Sequence, residues 1–325
     1  MIKIWASEVS SLIGYCGPKA REETIEKIKC RNENKPKPLP KTFRNPSEST
    51  FNSGFIKKAD VTKIKNLVEQ KKATTETLNN NYTKARKQIE DSTKTKDLLA
   101  SIGVQENDTN LIEKVIKNEK SKEIISPEII HEIQNNYNKI EKIELETSEL
   151  INTNVKEKTE ELIKTSDPVD VTEKLNEITK NCDSEFKKDI TSCISKERGN
   201  HFEKQNLDAY EKRTDTEVNN RNTISRCLKI ELSKDKKMLL IGKIDGTSED
   251  ILIESKNRQS EKTFGRGLTK YDSVQLTVYM KMFNFKNSKL IENYGDLQGE
   301  YELEYNDEEW TNIKNKLIAT VNNVF

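Results

Sequence analysis

The feature that most constrains the fold of this chain is the stretch from Leu239 to Arg258. An aliphatic run ends at Asp245, and after a short polar turn a second aliphatic run leads into Glu254 and Lys256. Apolar runs of this length, bounded by turn residues, are typical of β-strands, so the stretch predicts a hairpin. Positions two apart in a strand face the same side of the sheet, which places Glu254 and Lys256 together.

If these two strands pair, Asp245 lies beside Glu254, and two carboxylates form an oxygen site suited to Mg²⁺ or Mn²⁺. Next to a metal and a phosphate, Lys256 would orient or help deprotonate an attacking water and stabilise negative charge. The alternative is coincidence, because Asp-Gly is a common turn and Glu-x-Lys is frequent in a chain rich in both residues. The strand context favours a functional site, because the acids end a run of aliphatic residues. An unpaired buried charge there would cost free energy unless a metal or the lysine compensated it.

Composition limits what the rest of the chain can do. With 325 residues and a hydrophobic fraction of 32%, part of the chain should be extended or solvated. The formal net charge of +1 means that any contact with nucleic acid must use a local basic patch. The five cysteines form no C-x-x-C pair, which argues against a zinc knuckle or a disulfide framework and fits an intracellular, reducing compartment.

The chain reads as three parts. Residues 1–56 predict two short helices, with Ser7 as a candidate N-cap, followed by a proline-rich linker. Residues 57–190 predict amphipathic helices broken near Gly103, Pro127 and Pro168. The N-terminus does not have the pattern of a signal peptide, and no window of the sequence approaches ~18 consecutive apolar residues, so we expect a soluble protein without membrane contact.

Residues 191–325 have the pattern of an α/β unit with a mixed sheet. The predicted elements, in order, are helix Ser195–Arg213, strands Cys227–Leu232, Met238–Ile244 and Ile251–Lys256, helix Leu268–Phe283, strands Leu290–Tyr294 and Tyr301–Tyr305, and helix Glu308–Val324.

Two further pairs of residues flank the strands in order. Gly199 and Glu203 lie on the preceding helix, and Gln275 and Tyr279 lie four apart on one face of the following helix. With Gly242 and Asp245, and then Glu254 and Lys256, residues 198–283 resemble the PD-(D/E)XK nuclease superfamily. Within it they resemble the lambda-type exonuclease and RecB-like branch, whose pattern is G-x-x-x-E, G-x-x-D, E-x-K and Q-x-x-x-Y.

The resemblance implies a restriction-endonuclease-like core, a mixed central sheet flanked by helices, with residues 57–190 as a large all-α insertion. It also implies a role for each matching residue. Asp245 and Glu254 would bind Mg²⁺ or Mn²⁺, Glu203 would contact the metal directly or through water, the Ser255 carbonyl would be a backbone ligand, Lys256 would be the catalytic lysine, and Gln275, supported by Tyr279, would position the lysine or the DNA backbone.

Two regions are candidates for DNA contact, and Tyr279 is a further candidate beside the predicted site. The opening segment is similar to the first helix of lambda-type viral and phage exonucleases, which makes Ser7 a phosphate-contact candidate as well as a candidate N-cap. Arg258, Lys262, Arg266 and Lys270 form a local basic loop that would hold phosphates. The arginine often found before the opening helix in that family is missing.

The resemblance therefore implies a metal-dependent exonuclease acting on the ends of double-stranded DNA, in viral or phage-type recombination or replication. Its partners would be DNA, a single-strand annealing or recombination protein, and further copies of this chain. The alternatives are a DNA-binding or scaffolding protein with an inert nuclease core, and a helical-bundle protein with a coincidental motif.

Overall fold

The computed structural model describes residues 1–35, 39–92, 99, 111–116 and 124–325, apart from the side chains of residues 113 and 114. The chain forms two compact units. The first consists of Met1–Pro38, Lys158–Lys180 and Lys187–Phe325, and the second of Leu39–Glu157 and Asn181–Phe186. The predicted break near Gly103 lies outside the described residues, and the predicted three-part division stays a prediction.

The first unit contains two sheets that mix parallel and antiparallel pairs. In one sheet, with order β1-β3-β2, β1 is parallel and β2 antiparallel to β3. In the other, with order β4-β5-β6-β7, β5 and β6 are parallel and the outer pairs antiparallel. The strands are β1 Ile2–Trp5, β2 Ser225–Glu231, β3 Lys237–Lys243, β4 Gly246–Ser248, β5 Ile251–Asn257, β6 Asn287–Tyr294 and β7 Leu297–Glu304.

The α-helices among the described residues belong to both units, and the mixed α/β class predicted from the sequence is confirmed. They are α1 Val9–Leu12, α2 Pro18–Asn32, α3 Lys41–Arg44, α4 Glu48–Asn52, α5 Lys58–Asp91, α6 Leu111–Ile116, α7 Pro127–Lys164, α8 Pro168–Ile178, α9 Ser184–Thr214, α10 Lys270–Phe283 and α11 Asp307–Val324. No helix in this described part of the chain is both long and apolar enough to cross a membrane.

The predicted hairpin between the second and third strands of the α/β unit is wrong. β3 pairs with β1 and β2, whereas β5 pairs with β4 and β6. The chain leaves the first sheet at Asp245, whose carbonyl accepts a hydrogen bond from the Asn222 N–H at 3.1 Å. Gly246 makes this crossing possible, because a Cβ there would lie 2.5 Å from Cγ1 of Val218.

The N-terminus also differs from the prediction. Residues Ile2–Trp5 form a strand that sequence reasoning missed, parallel to β3 and with Ile4 fully buried. Ser7 is not an N-cap, because it lies inside a 3₁₀ turn, Ala6–Glu8. The Glu8 carboxylate accepts the Trp5 N–H at 3.0 Å and so satisfies a donor at the start of this turn.

Helix α10 lies at the centre of the first unit. Thr269 is its N-cap and accepts the Asp272 N–H at 3.2 Å. Its aliphatic side chains belong to the same core as residues of both sheets, among them Leu240 and Leu252. The helix ends where Asn284 adopts a left-handed conformation, with φ of 62°. Because the aliphatic side chains of α10 are packed in this core, the helix holds its polar side chains in fixed positions.

The second unit is helical, as the periodicity of its sequence predicts. Ile64 and Leu67 of α5 are buried, and Ile130 and Ile133 of α7 belong to a further apolar cluster. The Asn154 amide oxygen accepts the Lys57 N–H at 2.8 Å, at the start of α5. Among the described residues of this unit we find no constellation of polar side chains that indicates chemistry.

Candidate active site

Three polar side chains meet where β5 lies against α10. Nζ of Lys256 lies 2.6 Å from Oε1 of Glu254 and 3.2 Å from Oε1 of Gln275. Nε2 of Gln275 donates to the same Glu254 oxygen at 2.7 Å, so that each of the three contacts the other two. The sequence reasoning expected these side chains near one another, because two share a face of one strand and the third begins the Q-x-x-x-Y pattern.

The three groups differ in their access to solvent. Glu254 and Gln275 are buried, with 3% and 2% of their surfaces exposed, whereas 26% of the Lys256 side chain is accessible. The lysine is therefore the member of the group that can meet a bound molecule. Glu254 and Gln275 hold the lysine in position by their contacts with its Nζ atom.

Asp245 joins the site from the point where the chain leaves β3. Its Oδ2 atom accepts the Ser255 N–H at 2.8 Å, which brings it next to β5 although β3 and β5 do not pair. Burial, together with the charges of Glu254 and Glu203, raises the pKa of Asp245 well above its ordinary value. A carboxylate in this position is therefore costly unless a positive charge compensates it.

Glu254 and Lys256 respond to burial in opposite ways. Burial raises the pKa of Glu254, and the neighbouring Lys256 charge offsets this only in part. Burial lowers the pKa of Lys256, but the charges of Glu254 and Asp245 outweigh it and raise that pKa above its ordinary value. Lys256 is accordingly a protonated ammonium at neutral pH.

The donors of the site suit a hard divalent cation in part. Oε2 of Glu254 is buried and has no hydrogen-bond partner among the described residues, and a second carboxylate, Asp245, lies beside it. Glu203 contributes its charge, but its carboxylate accepts a hydrogen bond from Asn222. No group of three or more His, Cys, Asp or Glu in the described ranges converges closely enough to hold a metal. The geometry thus fits two carboxylates, while Glu203 accepts a hydrogen bond from Asn222 and belongs to no group of three potential ligands in the described ranges.

Gly242 and Tyr279 explain how α10 reaches this position. A Cβ at Gly242 would lie 3.0 Å from Cε of Met282 and 3.1 Å from Cε1 of Tyr279, so glycine lets the helix approach β3 closely. Tyr279 is buried, and its hydroxyl lies 3.4 Å from Nε2 of Gln275. The prediction that Tyr279 contacts DNA does not fit this placement, because its ring is packed inside the protein. It supports Gln275 instead.

Tyr271 is a residue of the site that sequence reasoning missed. It precedes Gln275 by four residues, so that Tyr271, Gln275 and Tyr279 follow one face of α10. Its hydroxyl donates to the Ser7 carbonyl at 3.2 Å, and its pKa is raised by burial and lowered in part by the charge of Lys256. Extending the Q-x-x-x-Y spacing backwards by four would have found it.

The candidate DNA-contact residues are placed differently from one another. Ser7 is exposed, and its backbone carbonyl is held by Tyr271. The Arg258 guanidinium lies 2.8 Å from Glu292 and 2.9 Å from Asp272, both fully or almost fully buried. The prediction of a phosphate contact at Arg258 does not fit this geometry, because its charge is committed to two carboxylates. Arg266, in contrast, is exposed, and no ion pair or hydrogen bond to its side chain occurs within the described ranges.

No protein-family model matches the chain, and no curated protein matches it. Solved structures match it over about two fifths of its length. They include SSO0001, with a TM-score of 0.32, 20% identity and coverage of 41% of this chain and 62% of that one. An alkaline exonuclease from Laribacter hongkongensis has a TM-score of 0.32 and 17% identity, over 40% of this chain and 68% of that one.

A phage-related exonuclease from Haemophilus somnus has a TM-score of 0.31 and 10% identity, over 40% of this chain and 70% of that one. The chain spans less than two thirds of SSO0001. Similarity of this extent is partial, and the functional argument rests on the side chains of the site.

Proposed function

We propose that this chain is a nuclease, and more specifically a metal-dependent exonuclease that hydrolyses phosphodiester bonds from the ends of double-stranded DNA. One observation carries the proposal: Glu254, Lys256 and Gln275 contact one another at a partly open position, with Asp245 beside them. These are the residue types, in the order along the chain, that the PD-(D/E)XK pattern requires. The assignment of double-stranded DNA ends as the substrate rests on the resemblance to lambda-type exonucleases.

Lys256 would act on the phosphate as a cation. Because the neighbouring carboxylates raise its pKa, it stays protonated at neutral pH and is suited to donating hydrogen bonds rather than to removing a proton. An ammonium fixed in this way stabilises the negative charge that develops on a phosphate oxygen during hydrolysis. Glu254 and Gln275 hold it in place, so that little reorganisation is needed when the reaction occurs.

Asp245 and Glu254 are the residues that would hold Mg²⁺ or Mn²⁺. The unpartnered Oε2 atom of Glu254 and the raised pKa of Asp245 both support a cation at this position, since it would compensate the charges of two neighbouring carboxylates. When bound, such an ion lowers the pKa of a coordinated water and neutralises charge on a phosphate. The part of Glu203 and of the Ser255 carbonyl in binding it stays a prediction.

The test compares the purified protein with Lys256→Ala on linear and covalently closed duplex DNA, with Mg²⁺, with Mn²⁺ and with EDTA. We expect nucleotide release from linear DNA only, dependent on the metal, and a loss of roughly a hundred- to a thousandfold in rate for Lys256→Ala. Lys234→Ala is the matched control, because Lys234 is an exposed lysine in the turn between β2 and β3, at the end of β3 distant from Asp245.

Equal release by the wild type and Lys256→Ala would overturn the proposal. Binding of DNA without any metal-dependent cleavage would favour the alternative of a DNA-binding or scaffolding protein with an inert core. Cleavage of closed circular DNA at the same rate as linear DNA would support nuclease activity but contradict the assignment as an exonuclease.

A further inference from the structure

The segment Gln259–Thr269 joins β5 to α10, the two elements that carry Lys256 and Gln275. Near its tip, Arg266 is exposed and lies between two glycines with positive φ, Gly265 at 73° and Gly267 at 79°. No side chain or backbone group in the described part of the chain pairs with the Arg266 guanidinium. The segment that follows Lys256 along the chain and precedes Gln275 thus carries an exposed arginine that is unpaired within the described residues.

The backbone next to this arginine is held by the second sheet. The Glu292 carboxylate, fully buried, accepts the Gly265 N–H at 2.7 Å and the Tyr301 hydroxyl at 2.8 Å. Gly265, the residue before Arg266, is therefore fixed to the second sheet.

The ends of the segment are fixed as well. Arg258 pairs with Glu292 and with Asp272, and Asp272 also accepts the Thr269 hydroxyl at 2.6 Å. Gly299 faces Glu292 across β6 and β7 and leaves room for it, because a Cβ at Gly299 would lie 3.3 Å from Cγ of Glu292. The network thus extends from the first residue after β5 to the start of α10.

Burying ionised groups is costly unless they are paired and hydrogen-bonded, as they are here. The result is a surface segment that is ordered before anything binds to it. Ordering a loop in advance removes an entropic cost from binding, so that a contact made by its side chains contributes more to affinity. A guanidinium presented in this way matches the geometry of a phosphate, to which it can donate two parallel hydrogen bonds.

We propose that the segment Gln259–Thr269 is a rigid phosphate-binding arm, in which Arg266 contacts the DNA backbone and Glu292 and Tyr301 are positioning residues. The inference rests on the proposed nuclease function and names the part of the substrate that is bound, a backbone phosphate outside the bond that is cleaved. Such a contact is independent of base sequence.

The test measures binding of a short, blunt-ended, fluorescent DNA duplex by anisotropy in EDTA, where no cleavage occurs, over a series of salt concentrations. Arg266→Ala should weaken binding roughly tenfold. It should also reduce the slope of log K against log salt by about 0.9, the contribution of one phosphate contact on duplex DNA. Arg266→Lys should restore part of the slope, and Lys234→Ala should leave affinity and slope unchanged.

Gly267→Ala tests the positioning. A Cβ at Gly267 meets no atom within 4 Å, so alanine there disturbs the left-handed backbone and nothing else. We expect it to lower affinity and salt slope as Arg266→Ala does, and to add nothing in the double variant Arg266→Ala/Gly267→Ala. Unchanged thermal unfolding would show that each variant is folded.

An unchanged salt slope for Arg266→Ala overturns the phosphate contact, and strictly additive effects in the double variant overturn the positioning. Failure of the proposed function gives a different result, namely wild-type protein that binds DNA with the predicted slopes but does not cleave it with metal. If the wild type cleaves DNA and Arg266→Ala binds DNA as tightly as the wild type, the phosphate-binding arm is overturned and the proposed nuclease function is not.

Discussion

Asp245 is half-buried beside a second carboxylate, and we expect this placement to lower stability. Because burial and the charge of Glu254 raise its pKa, the folded chain binds its proton more tightly than the unfolded chain does. Its unfavourable contribution is absent below the unfolded-state pKa, about 3.9, and grows as pH rises towards the folded pKa. We expect neutral Asp245→Asn to unfold a few degrees higher than the wild type at neutral pH, for a stabilisation on the order of 1 kcal/mol.

Thermal unfolding in EDTA between acid and neutral pH measures this effect. The difference between wild type and variant should disappear below about pH 3, where Asp245 is protonated in both states. Asp250→Asn, at an exposed position in the turn before β5, is the control and should not change the melting temperature. Added Mg²⁺ should stabilise the wild type and not Asp245→Asn, because only the wild type offers two carboxylates. A variant that is less stable at neutral pH would contradict the argument.

Tyr271 should matter to the site although it belongs to no part of the family pattern. Removing its hydroxyl in Tyr271→Phe breaks the hydrogen bond to the Ser7 carbonyl and frees the segment after β1 from α10. We expect a loss of about 1 kcal/mol in stability. Nuclease activity should fall by several fold, more than the fraction of unfolded protein explains.

Tyr305→Phe is the matched control, since the Tyr305 hydroxyl also makes a hydrogen bond, to Asp307 at 2.8 Å, away from the site. Unfolding and nucleotide release are measured on the same preparations. If the two variants lose activity equally, Tyr271 has only a structural role.

Gly242 and Gly199, the two glycines of the nuclease-like pattern, should respond differently to substitution by alanine: one variant should be less stable than the wild type and the other more stable. Gly242→Ala places a methyl group against Met282 and Tyr279 and should push α10 away from β3, at a cost of about 1–3 kcal/mol. Gly199 lies inside α9, and a Cβ there meets no atom within 4 Å. Gly199→Ala should therefore stabilise the helix by up to about 1 kcal/mol.

Chemical denaturation of the two variants measures the difference. Because α10 carries Gln275, Gly242→Ala should also reduce nuclease activity, and Gly242→Ala/Met282→Ala should recover part of it by removing the crowded side chain. Destabilisation by both alanines to the same extent would show that contact with Met282 and Tyr279 is not the reason for glycine at position 242.

The existence of most elements of the α/β unit could be predicted, because strands and helices leave their own period in the sequence. The pairing of the strands could not. It depends on Gly246, whose need for glycine comes from a contact with Val218, far from the aliphatic runs themselves. The proximity of Glu254 and Lys256 was predictable, because they lie two residues apart on one strand. The ion pairs of Arg258 with Glu292 and Asp272 were not, because they join segments that are separate in the sequence.

Segments that lie far apart in the sequence fold together in the first unit. Ile2–Trp5 pairs with β3, more than two hundred residues later, and four residues are too few for a recognisable strand period. Ile4, Val9, Leu12 and Ile28 belong to the same hydrophobic core as Leu240 and Val274. A fragment that begins at residue 191 lacks all four of these N-terminal side chains.

We therefore expect a fragment of residues 191–325 not to fold on its own, because removing this much apolar surface exceeds the margin of a small domain. In the full chain, Ile4→Ala should reproduce part of the effect and cost about 2–5 kcal/mol, since Ile4 is fully buried. Thermal unfolding by circular dichroism measures both, with Leu297→Ala as the exposed control. A cooperative transition and metal-dependent DNA cleavage by the fragment would instead favour the predicted boundary at 190/191 as that of an independent nuclease domain.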